Sequence, residues 1–344
     1  MTVPRSSRRE LLRSLLRSPE PSIRWRTRVH ALGEDPASPR LGRLRAEVRS
    51  SDRVRRLLRE GFAPHRPGTA GGIYRYWQGS HWALGSLVDL GYPARDPAVA
   101  PILDRAVRLW TAPRYDRTVR ATSRSGRHPQ DGVPLLRGRY RRCASQQGNA
   151  LRYAVALGGP DPRADHLATL LRRWQWPDGG WNCARSPDAR VSSFMESLTP
   201  MRGLQAYADL TGSKPARDAA RRASEVFLER NLFRRRSNGR VMRPEFLRFH
   251  YPLYWHYDVL GGLTGMVEVG RIGDPRCREA LDWLESRELV RGGWPVDGCY
   301  YRVSPEYRSG CEYVDWGRPA PRLRNDWVTT DALHVLAAAG RLDA

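Results

Sequence analysis

The sequence predicts an all-α protein built from about five to six helical hairpins, with extra helices at the N-terminus. Three observations carry this expectation. Apolar residues recur at three- and four-residue spacing, and the period-two alternation of strands is nearly absent. Apolar runs end in Leu-Gly-like stops: DLGYP at 89–93, ALGGP at 156–160, DLTGS at 209–213 and EVGRIG at 268–273. Glycine there supplies the positive φ of a helix C-terminus. Finally, two stretches align. Asp161-Pro162-Arg163 recurs as Asp274-Pro275-Arg276, Leu171 as Leu284, Gln175 as Glu288, and Gly179-Gly180-Trp181 as Gly292-Gly293-Trp294, each pair 113 residues apart. A constant offset over separate blocks marks repeated units that stack or close into a ring.

Taken in order, residues 1–70 form a basic N-terminal helical segment. SRRELLRSLLRS, SIRWRTRVHAL and LGRLRAEVRSSDRVRRLLREG read as two or three amphipathic helices separated by Pro and Gly, expected to sit as an appended cap. Residues 72–344 form the repeat domain. A first hairpin is expected over 77–112, a second between Cys143 and Cys183, and a third over 192–231. The copy around 274–294 follows, and TTDALHVLAAAG at 329–340 supplies a last helix. Asp-Pro at 161–162 and 274–275 combines an N-cap with a first-turn proline. Segments 113–142 and 295–324 are rich in Arg, Pro, Gly and Tyr and are expected as long irregular loops.

Of the 344 residues, 40% are hydrophobic and 28% charged, the balance of a folded chain rather than a disordered one. No apolar run approaches the ~20 residues that span a bilayer. The opening MTVPRSSRRELLRSLLRS is interrupted by Arg and Glu, which reads as a helix rather than an export signal and makes the cytoplasm the expected location. Five cysteines at 143, 183, 277, 299 and 311, with no close pair, argue against a disulfide framework. The formal charge is +23, almost all of it arginine, since Lys214 is the lone lysine. Such a field attracts anions; nucleic acid, an anionic surface and a diphosphate all satisfy it.

The string LRRWQWPDGGWNC, with Leu171, Gln175, Gly179 and Trp181, resembles the QW repeat of squalene–hopene and oxidosqualene cyclases. Its second copy, LESRELVRGGW, keeps Leu284, Gly292 and Trp294 but has Glu288 in the place of Gln. The resemblance covers roughly residues 72–344. It implies an α/α toroid of the terpenoid cyclase and prenyltransferase type, a ring of inner and outer helices around a cavity that holds an isoprenoid or another apolar molecule. The chain departs from the cyclases in lacking D-x-D-D, and it also lacks D-D-x-x-D. A standard hopene-type cyclase is therefore not expected.

Three stretches carry residues unusual for packing alone: RRCASQQGNALRYAVALG with Cys143 and Asn149, DGGWNC with Cys183, and FHYPLYWHYDVLGGL with His250, His256 and Asp258. Protein prenyltransferases and lanthionine cyclases, related toroids, hold zinc through Cys, His and Asp. The resemblance thus implies Cys143, Cys183 and His250 as a zinc set with an open fourth position. Glu196, His256 and Asp258 are the candidate acid–base groups, and Asp258 is equally suited to capping a helix or pairing with an arginine. Tyr251, Trp255 and Asn149 are the candidate ligand-lining residues. His81, between Trp77 and Gly85, is expected as a core histidine.

Three functions stay open on this reading. The first is binding or transformation of an apolar, isoprenoid-like molecule in a central cavity. The second is a non-catalytic role in which the basic N-terminal helices hold nucleic acid or an acidic partner through phosphate contacts. The third is a zinc enzyme that activates a thiol.

Overall fold

A computed structural model describes residues 8–62, 72–120, 132–304, 306 and 308–342. Helix accounts for 53% of the protein, with a few small strands. The chain divides into two compact units, residues 1–93, 231–254 and 258–344 in one, 94–230 and 255–257 in the other.

The first unit contains α1 (Arg8–Leu16), α2 (Pro21–Arg26), α3 (Pro39–Arg49), α4 (Asp52–Gly61) and α5 (Ser80–Asp89). The second contains α6 (Ala100–Trp110), β1 (Thr118–Arg120), β2 (Val133–Leu136), β3 (Arg139–Tyr140), α7 (Ala144–Tyr153), α8 (Pro162–Trp174), α9 (Phe194–Thr211) and α10 (Lys214–Leu228). The chain then returns to the first unit with α11 (Val259–Glu268), α12 (Arg278–Ser286), β4 (Arg302–Val303), β5 (Cys311–Glu312) and α13 (Asp326–Ala338). No helix among the described residues is long and apolar enough to cross a membrane.

The N-terminal helices differ from the appended cap read from their composition. They belong to the same body as α11–α13. Leu11, Leu12, Leu15 and Ile23 on these helices are buried. Arg8 reaches Glu288 at 2.9 Å. Arg26, 5% exposed, is ion-paired with Asp331 and donates to the Tyr251 hydroxyl at 3.0 Å. Arginines that composition assigns to a solvated face thus serve as internal struts.

The segments expected to be irregular also differ. β1 pairs in parallel with β2, β2 pairs antiparallel with β3, and β4 pairs in parallel with β5. Strands of two to four residues are too short to show alternation.

The repeat is real at the level of individual hydrogen bonds. Trp181 Nε1 donates to the Leu171 carbonyl at 2.9 Å, and Trp294 Nε1 to the Leu284 carbonyl at 2.7 Å. The Trp176 amide donates to the Gly180 carbonyl, and the Leu289 amide to the Gly293 carbonyl. Each tryptophan amide is then received by a hydroxyl on a following helix, Ser197 Oγ on α9 or Thr329 Oγ1 on α13, both at 3.0 Å. Asp161 and Asp274 cap their helices by accepting from the amides of Arg163 and Arg276. The copies diverge where Glu288 replaces Gln. Gln175 Nε2 donates to the carbonyls of Gly179 and Ala219. A carboxylate cannot donate, and Glu288 accepts from the Arg8 guanidinium instead.

Candidate metal centre

Two backbone arrangements in the second unit build the centre. The first is the close approach of α7 and α9. A Cβ at Gly148 would lie 2.6 Å from Pro200 Cα and 2.7 Å from the Thr199 carbonyl carbon, and one at Gly203 would lie 2.5 Å from the Gly148 carbonyl oxygen. Only glycine permits this spacing. It sets Cys143, the N-cap residue of α7, beside Glu196 in the first turn of α9. The second arrangement is the repeat turn. With the Trp181 amide held by Ser197 and the Ser193 amide donating to the Trp181 carbonyl, the chain after Trp181 lies along the start of α9. Arg141 and Asn182 form a parallel bridge, so the strands leading to Cys143 and Cys183 run side by side.

The result is a group in which one ligand atom each of Cys143, Cys183 and Glu196 lies within 4.8 Å of the others. Cys183 Sγ is 3.4 Å from Glu196 Oε1, and Glu196 Oε2 accepts from the Ser145 amide at 3.0 Å. Glu196 is 8% exposed. Burial, followed by the Cys143 sulfur, pushes its carboxyl up to about 7. The Cys183 thiol is pushed well above its ordinary range by its hydrogen bond with Cys143, then by burial and by Glu196. Three groups that would each carry negative charge are held together in a poorly solvated place. A dication resolves that conflict, and protonation resolves it otherwise.

The donor set suits zinc: two sulfurs and one carboxylate oxygen, three protein ligands as in catalytic zinc sites. Its third member differs from the expected one. Glu196, read from sequence as an acid–base candidate, stands with the two cysteines, and His250 is not in the group. His250 belongs to the first unit, where its ring stacks on Tyr300 at 4.6 Å, its amide donates to Asp258 Oδ2, and Nδ1 lies 3.5 Å from the same oxygen. The reason is local. Asp258 caps α11 by accepting from the Gly261 amide and uses its other oxygen to tie back the preceding loop. Asp258 thus takes the capping role at the start of α11.

The other candidates are dispersed. Asn149 is buried on α7. His256 stacks on Trp255 at 4.1 Å in the second unit. Tyr251 is buried in the first unit, stacked on Trp327 at 5.4 Å. His81 is fully buried against Tyr74 and Trp82, and burial drives its pKa down to about 3, which keeps it a neutral core residue. The first unit has an open concavity of about 750 Å³, lined by Glu20, Arg24, Glu47, Asp52, Arg53 and Asp315. Charged side chains line much of it.

Sequence reading passed over two groups. Arg141 is one arginine in an arginine-rich run, and only its burial sets it apart. Glu312 is almost completely buried, accepts from the Tyr254 hydroxyl and the Tyr313 amide, both at 2.8 Å, and is pushed by burial up to about 7. Nothing in RSGCEYVDW marks that glutamate as internal.

Comparison of the chain with protein-family models and with curated proteins finds no match.

Proposed function

We propose that the protein is a zinc-dependent enzyme whose Cys143, Cys183 and Glu196 hold the metal and leave one position for a substrate thiol or water. The observation that carries this reading is the convergence of the three side chains within 4.8 Å. Zinc bound in this way acts as a Lewis acid and lowers the pKa of the group it receives. The chain's own residues hold and tune the site. The Ser145 amide fixes one oxygen of Glu196, leaving Oε1 turned toward Cys183. The burial of Glu196 beside two half-buried cysteines would strengthen the field of an ion held there. The scaffold we propose is the α/α toroid of the cyclase and prenyltransferase superfamily, on the strength of the two equivalent repeat turns. An apolar, isoprenoid-like substrate follows from that scaffold as the second part of the reading.

Metal analysis with native mass spectrometry of protein purified under reducing conditions tests the proposal. One zinc per chain is expected, falling to none in Cys183→Ala and weakened at least about tenfold in Glu196→Gln. Wild-type protein that takes up no zinc after anaerobic reconstitution would sink the metal reading. Extraction of the same protein for bound lipid tests the second part separately.

A further inference from the structure

Arg141 has 2% of its surface exposed and is among the largest fully buried side chains of the described residues. One of its guanidinium nitrogens, Nη1, donates to the Ala189 carbonyl at 3.0 Å. Its face lies on the Trp176 ring, with the central carbon 4.6 Å from the ring centroid. The remaining two nitrogens, Nε and Nη2, are buried and have no hydrogen-bond partner. These two form the side-on edge of a guanidinium, whose parallel N–H bonds match the two oxygens of a carboxylate or phosphate. Arg139, two residues earlier, also lies over Trp176, at 5.7 Å, and its Nε is likewise buried without a partner. No acid among the described residues pairs with Arg141. Burial, and after it the charge of Arg139, lowers its pKa.

A buried, unpaired cation beside a second cation is among the costlier arrangements a fold can hold. One carbonyl and one aromatic face compensate it only in part. A purely structural strut would be served by Met or Leu, which fill similar volume without charge. We infer that the Nε–Nη2 edge of Arg141, flanked by Arg139 and seated on Trp176, is a receptor for an oxyanion, the carboxylate or phosphate group of a small molecule.

The location adds meaning. Arg141 stands two residues before Cys143, and its backbone bridges to Asn182, one residue before Cys183. The chain pairing that joins the two thiols therefore carries the fork as well. That the bound group belongs to the substrate of the zinc site rests on the function proposed above; the oxyanion site itself does not.

The test titrates inorganic phosphate and, separately, acetate into the full-length protein by calorimetry, against chloride at matched ionic strength. One-to-one saturable binding of at least one of them is expected, which also tells a phosphate receptor from a carboxylate receptor. Arg141→Lys keeps the charge but loses the fork, and it should weaken binding at least about tenfold. Arg139→Gln should weaken it severalfold. Arg141→Met should melt no lower than wild type without anion, since it removes an unpaired buried charge. Binding that survives in Cys143→Ala, after zinc is lost, separates this site from the metal reading. The inference is overturned if neither anion saturates, if Arg141→Lys binds as well as wild type, or if Arg141→Met melts well below wild type, the mark of a strut.

Discussion

Gly148→Ala is the most informative single change to the second unit. The added methyl would sit 2.6 Å from Pro200 Cα and 2.7 Å from the Thr199 carbonyl carbon, against the 3.4–4 Å of ordinary contact. Those neighbours are backbone atoms of α9, so no side chain can rotate away. The helices must part by about 1 Å. Overpacking of this kind costs about 1–3 kcal/mol, offset by up to about 1 kcal/mol from the better helix propensity of alanine. The effect on the proposed zinc site should be larger in proportion. Cys143 is fixed to α7 and Glu196 to α9, and zinc tolerates ligand distances within about 0.2 Å. Zinc affinity, measured by competition with a chromophoric chelator, should fall more than about tenfold while helical content stays intact. Gly42→Ala on α3 is the control, because nothing lies within 4 Å of its added carbon. It should leave the protein unchanged or stabilise it by up to about 1 kcal/mol. A Gly148→Ala protein with wild-type melting and wild-type zinc affinity would refute the argument that the close approach of α7 and α9 sets the site.

Other outcomes follow from the same structure. Glu312 has its carboxyl raised from an ordinary 4.5 to about 7, so between those values the native state keeps a proton that the unfolded state releases. Stability should therefore fall by roughly 3 kcal/mol in total as pH rises from about 4.5 to 7 and level off above, and Glu312→Gln should remove that fall in denaturant titrations. A Glu312→Gln curve parallel to wild type would contradict it. Trp181→Phe and Trp294→Phe keep most of the buried ring but lose the bond to Leu171 or Leu284, and each should cost about 1–2 kcal/mol in chemical denaturation. A loss at one position with none at the other would mean that the two turns are not energetically equivalent. Deleting residues 1–61 should expose the partners of Arg8 and Arg26 and lower the melting temperature sharply, instead of leaving an intact repeat domain.

The helical character and the repeat turn were legible in the residues because both are local. Glycine at 179 and 292, each with positive φ, and tryptophan two residues later encode a reversal within a dozen residues. Helix caps at Asp161 and Asp274 are equally local. The pairing of Cys143 with Cys183 was also foreseeable, because a hairpin returns to the end from which it starts. The third member of the group was not. Glu196 reaches the cysteines because two glycines let α7 and α9 touch and because Ser197 holds the turn that carries Cys183. His250 is held instead by an aspartate eight residues along its own chain. Arginine shows the same division most plainly. The sequence by itself set a large positive charge, but every arginine looks alike in a composition. Only tertiary structure decided that Arg8 and Arg26 tie the N-terminal helices to the body of the first unit, and that Arg141 is buried with one edge unpaired. Charge is a property of the residue, whereas its partner and its solvent are properties of what the fold brings to it.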